Sequence, residues 1–129
     1  MIRKIEHVAL VVHDLARSIE FYHRCFGFNV RLKGENKTRE MAFLYLEDEP
    51  DVEIELIRDK VDLGNYETKS VINHIAFTVE RLDEEVEKLQ EKGITFLTDA
   101  PKPTLDGGVM ILFHGPDKEL LQLVERGTS

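Results

Sequence analysis

Two pairs of metal-ligating side chains in this chain stand at one common offset. His7 and His74 are 67 residues apart, and so are Glu55 and Gln122. Each histidine lies in an aliphatic, β-branched run, Ile5-Glu6-His7-Val8-Ala9-Leu10-Val11-Val12 and Ile72-Asn73-His74-Ile75-Ala76-Phe77-Thr78-Val79. Glu55 and Gln122 are bracketed by aliphatic residues in Ile54-Glu55-Leu56 and Leu121-Gln122-Leu123. Two imidazole nitrogens, a carboxylate and an amide oxygen make a mixed N/O set suited to a divalent ion such as Zn, Ni, Co, Mn or Fe. On a six-coordinate ion such a set leaves room for water or substrate. Taken one at a time, a histidine in an apolar strand is more often a hydrogen-bonded core or surface residue. A glutamate in the alternating Val52-Glu53-Ile54-Glu55-Leu56 reads as the solvated side of an edge strand, Glu53 with it. A solvated side, however, gives no reason for two pairs to recur at one offset.

The offset belongs to a wider repeat. A shift of 67 superposes six identities in the sixteen positions from Ile5 to Glu20, among them Leu15 on Leu82 and Glu20 on Glu87. About one is expected from ordinary composition. Each half shows the same periodicity. Residues 5–12 alternate as a strand, with Ile5, His7, Ala9 and Val11 on one face and Val8, Leu10 and Val12 on the other, and both faces are expected to be largely covered. Asp14 is suited to cap a helix whose stripe is Leu15, Ile19, Tyr22 and Phe26 and which stops at Gly27. Leu82, Val86 and Leu89, stopped by Gly93, repeat that helix. Strands are expected over 28–33, 39–47 and 52–58, then over 94–97, 108–114 and 119–124. The unit is βαβββ, twice, in an α+β chain, with modules at about 1–60 and 70–129 and a linker at 59–70. The connections 34–38 and 99–107 are polar, and the second bears Pro and Gly.

Composition bounds what such a protein does. At 129 residues the chain has the size of one globular domain, and 42% apolar residues supply a core without disulfides. A formal charge of −8 disfavours nucleic acid and anionic membrane surfaces as partners. No apolar run reaches the roughly 18 residues of a membrane helix. The single cysteine, Cys25, sits in the first helix and reads as buried filler in a reducing, cytoplasmic setting. His13, Asp14, His23 and His114 read as surface or capping residues.

The segments HVALVVHDLARSIEFYHRCFGF, VEIEL, NHIAFTV, DGGVMILFHGPDK and LLQLV resemble the vicinal oxygen chelate superfamily, nearest in pattern to glyoxalase I-like proteins of the glyoxalase–bleomycin resistance–dioxygenase family. The resemblance implies paired βαβββ modules whose curved mixed sheet cups a divalent metal held by His7, Glu55, His74 and Gln122. It also implies a homodimer, with the metal shell inside one chain or shared between two copies, and a small-molecule substrate. The implied chemistry is that of a metal-dependent lyase or isomerase, which moves a proton between adjacent carbons of a 2-oxoaldehyde–thiol adduct through a metal-held enediolate. The same scaffold supports Fe-dependent ring cleavage by His7, His74 and Glu55, acyl-CoA epimerisation, and non-catalytic drug sequestration.

Two departures bear on substrate. Glyoxalase I-like enzymes place a carboxylate base on the last strand of one unit; here the second unit has Gln122, which leaves Glu55 as ligand and catalytic base in turn. Glutathione-using members tend to carry Arg four residues after the first ligand and Asn four after the second. This chain has Val11 and Asp59, neither of which attracts a carboxylate. Arg39 and Arg58 remain as groups for an anionic substrate or as surface charges.

Overall fold

The computed structural model describes residues 1, 5–61, 74–104 and 106–127. Among them the chain forms two four-stranded mixed sheets with two helices, and it divides into two compact units, Met1–Glu67 and Thr68–Ser129. From residue 62 onward the expected linker lies outside the described residues, as do Ile72 and Asn73 of the repeat.

In the first unit β1 (His7–Val11), α1 (Leu15–Phe26), β2 (Asn29–Glu35), β3 (Arg39–Leu46) and β4 (Glu49–Asp59) follow in sequence. The sheet order is β1-β4-β3-β2, with β1 parallel to β4 and the remaining pairs antiparallel. Asp14 caps α1 by accepting a hydrogen bond from the Arg17 backbone N–H at 3.0 Å, and Gly27 ends it at φ 83°, a left-handed conformation that favours glycine. The helix packs on β3 and β4, where alternate residues Ala42, Leu44, Ile54 and Leu56 are buried. Its buried stripe is Leu15, Ser18, Phe21, Tyr22 and Cys25, so Ile19 and Phe26 flank the expected stripe instead of centring it. Apolar spacing does not reveal Ser18, a small polar residue that becomes fully buried against the sheet. β1 also differs from expectation. Val8 and Leu10 are half-buried, but His7, Ala9 and Val11 lie on an open face of this edge strand, Val11 at 61% exposure. β4 starts three residues early through a two-residue hairpin. Pro50 is tolerated there because β1 pairs with β4 only from Glu53 onward, leaving no partner that needs its N–H.

The second unit consists of β5 (Ile75–Thr78), α2 (Leu82–Glu91), β6 (Lys102–Pro103), β7 (Val109–His114) and β8 (Leu120–Glu125), in sheet order β5-β8-β7-β6 with β5 parallel to β8. Arg81 precedes α2 without a side-chain cap. The Leu82 backbone N–H donates instead to Glu125 Oε1 at 2.9 Å, so β8 caps the helix from across the fold. The strand expected at 94–97 reduces to one bridge between Phe96 and Phe113 and a hydrogen bond from Leu97 N to Leu112 O. Thr98 then turns the chain by donating to the Ala100 carbonyl, and the edge strand forms later, at Lys102–Pro103 inside the expected loop. Gly108 is required where it stands, since a Cβ there would lie 2.2 Å from the Glu125 carbonyl and 2.6 Å from the Gly127 nitrogen.

Replacing Asp14 with Ala removes the cap of α1 and is expected to cost about 1 kcal/mol. Thermal unfolding is expected to show a midpoint lower by about 3–5 °C with secondary structure retained.

Candidate functional site

Parallel pairing of β1 with β4 sets His7 beside Glu53 and Ala9 beside Glu55. Because side chains alternate along a strand, His7, Ala9, Val11, Glu53, Glu55 and Ile57 share one face, joined by Phe43, the partner of Glu55 across β3. The opposite face carries α1. On the open face His7 Nε2 stands 3.8 Å from Glu55 Oε1. The Glu55 side chain is only 12% exposed, and that imidazole is its polar neighbour among the described residues. The other ring nitrogen, His7 Nδ1, lies 3.2 Å from Glu6 Oε1. With the proton on Nδ1 directed at Glu6, Nε2 presents a lone pair beside Glu55, the arrangement in which a carboxylate orients a ligating histidine. The Phe43 ring meets the imidazole edge-on, with centroids 5.6 Å apart and planes at 88°.

The second unit repeats this placement. His74 stands one residue before β5 and is exposed, and Gln122 is half-buried on β8. Ala76 pairs with Gln122 as Ala9 pairs with Glu55, so each unit sets its acid or amide opposite an alanine two residues after its histidine. Leu112 of β7 takes the place beside Gln122 that Phe43 takes beside Glu55. Among the described residues no group of three or more His, Cys, Asp or Glu side chains is gathered, and the first unit by itself brings together two of the four expected ligands.

The family model for the glyoxalase/bleomycin resistance protein/dioxygenase superfamily matches residues 4–123. The chain belongs to this superfamily. It is similar to the uncharacterized protein YwbC of Bacillus subtilis, at 32% identity over 98% of this chain and all of that protein. It is also similar to a lactoylglutathione lyase of Escherichia coli O157:H7, at 29% identity over 95% of this chain and 92% of the enzyme. Among solved structures, the glyoxylase/bleomycin resistance protein/dioxygenase domain from Frankia sp. EAN1pec superposes with a TM-score of 0.80, at 23% identity over 98% of this chain and all of that domain.

Within this superfamily member the charged residues beyond the expected ligands are arranged in ways the sequence does not reveal. Glu53 is not on a solvated side: it is 8% exposed and its carboxylate accepts two hydrogen bonds from Arg31, from Nε at 2.5 Å and Nη2 at 2.9 Å. Asp59 holds Arg39 at 2.9 Å, so the anion expected to repel a carboxylate carries its own cation. Arg58 lies on the α1 side of the sheet and is bound by Glu40 at 3.0 Å. Arg58 and Glu40 line a cleft of about 650 Å³ with His13, Asp14, Lys33 and Glu35, away from the row that carries His7 and Glu55. His13 and His114 are exposed, and the His23 ring nitrogen Nδ1 meets the Phe28 carbonyl at 2.8 Å. Arg31, Phe43 and Glu6 are the site neighbours that sequence reading missed. Alternation does place Glu53 in the row of Glu55, but nothing local to Arg31 signals its partner 22 residues away.

The hydrogen bond from Arg58 holds the Glu40 carboxyl below its ordinary value. Its stabilising contribution is therefore complete above the ordinary carboxylate range, and is lost as pH falls through that range toward the depressed folded value. Denaturant melts of wild type and Glu40→Gln at several pH values are expected to differ by a constant amount between about pH 5 and 7 and to converge below about pH 4.5.

Proposed function

We propose that this protein is a metal-dependent lyase or isomerase of the glyoxalase I type, acting on a small 2-oxoaldehyde–thiol adduct or a similar oxygenated substrate. His7, Glu55, His74 and Gln122 hold the metal, the two pairs meeting within one chain or across a cytoplasmic homodimer. The observation that carries the reading is the His7–Glu55 pair: a largely withdrawn carboxylate, an imidazole nitrogen 3.8 Å away, and Glu6 positioned to keep the proton on the other ring nitrogen. The pair suits a borderline divalent ion, and the second unit repeats its strand register with His74 and Gln122. The lactoylglutathione lyase among the relatives supports the same reaction class.

A divalent ion held by these residues would supply positive charge to stabilise an oxyanion developing on the substrate. The chain's own residues do the rest. Glu55 takes the proton from one carbon at a carboxylate oxygen and returns it to the next, since it is the one carboxylate of the set and Gln122 accepts no proton. Glu6 and Phe43 fix the His7 ring, the first by accepting from Nδ1 and the second by edge contact. Glu53, saturated by Arg31, does not compete with Glu55 for the proton.

Calorimetric titration with Zn²⁺ and Ni²⁺ is expected to show uptake by the wild type and a loss of at least about 100-fold in affinity for His7→Ala/His74→Ala, which removes two of four ligands. Glu55→Gln is expected to keep metal within about tenfold while kcat on methylglyoxal–thiol adducts falls by at least about 100-fold. Metal uptake unaffected by the histidine changes, or Fe²⁺-dependent oxygen consumption in place of isomerisation, overturns the reading.

A further inference from the structure

We infer that Arg31 is the residue that recognises the substrate's far end, and that this end bears a carboxylate. The inference rests on the metal-site reading above and adds the substrate class to it. Arg31 sits at a break in β2, where the register with β3 shifts between Val30 and Leu32. The irregularity interrupts the alternation there, and the guanidinium reaches over the Phe43 ring, 5.2 Å from its centroid. Phe43 in turn touches His7 with centroids 5.6 Å apart, so the guanidinium lies within about 11 Å of the imidazole on the same face. Glu53 fixes it there from below. The buried carboxylate occupies the side-on edge of the guanidinium, Nε and Nη2, while the Arg31 side chain stays 51% exposed. The end-on edge, Nη1 with the second N–H of Nη2, makes no hydrogen bond among the described residues. That edge is a planar fork matched to a second carboxylate.

The spacing sets the ligand. A molecule seated at His7 and Glu55 meets the guanidinium with an anionic group no more than about 11 Å from the imidazole, which bounds its length. Position 31 is independent of Val11 and Asp59, so the carboxylate approaches from the β2 side of the sheet.

The test uses dicarboxylic acid monohydroxamates from succinic to suberic, whose two hydroxamate oxygens chelate divalent metals, against the matching neutral monoamides. Binding to the Zn²⁺-loaded protein is measured by calorimetry. Wild type is expected to prefer the acid by at least about tenfold at one chain length, the worth of a charge-assisted hydrogen bond. Glu53→Gln, which leaves the guanidinium uncompensated, is expected to keep or raise that preference. Arg31→Gln/Glu53→Gln, which leaves a neutral pair of similar shape, is expected to abolish it with affinity for the amide unchanged. A merely structural role for the bridge predicts instead that both variants weaken acid and amide alike, and that result overturns the inference. So does an equal affinity of wild type for acid and amide at every length, which leaves the metal reading intact. Failure of both chelators to bind metal-treated wild type overturns the metal reading and the inference together.

Discussion

A carboxylate taken out of water needs a positive partner, and β4 sets two of them in one row. Glu53 and Glu55 are two residues apart, so both project from the same face, and both are largely withdrawn from solvent. Glu53 is matched by a guanidinium with two hydrogen bonds. Glu55 has an imidazole beyond hydrogen-bond distance. Everything distinctive about the open face of the first unit follows from that inequality. One carboxylate is held by two hydrogen bonds from a guanidinium, and the other stands beside an imidazole.

The duplication conserves geometry more closely than charge. Each unit pairs its first strand in parallel with its last, and each sets an oxygen donor opposite an alanine two residues beyond a histidine. Yet the counterpart of Glu55 is the amide Gln122, and the counterpart of Glu53 at the offset of 67 is Leu120. The second unit thus sets a neutral amide where the first withdraws a carboxylate from water. An apolar Leu120 in place of Glu53 needs no counterpart of Arg31, and the second unit presents Leu112 where the first presents Phe43. Helix capping shows the same freedom. Asp14 caps α1 locally, whereas α2 relies on Glu125 from the far strand. The repeated architecture therefore tolerates different local solutions as long as the parallel strand register is kept.

Much of this was legible in the residues themselves. The offset of 67, the cap at Asp14, the stop at Gly27 and the α+β order of elements are local or periodic features, and periodicity reports which side of an element is apolar. The pairing of His7 with Glu55 was legible as an expectation because the repeat pointed to it twice. The bond from Arg31 to Glu53 was not, since it depends on a register break in β2 and on strands brought together from 22 residues apart. The burial of Ser18 and the displacement of the edge strand from 94–97 to Lys102–Pro103 were hidden for a related reason: hydrophobic spacing encodes neither how closely a helix lies on its sheet nor where a turn such as Thr98–Ala100 interrupts a ladder. The sequence by itself determined which donor atoms exist and on which face of each strand they lie, because alternation is a property of the local backbone. Only the tertiary structure decided which carboxylate is neutralised by a cation and which is left beside an imidazole, because that depends on the lateral register between strands distant in the chain.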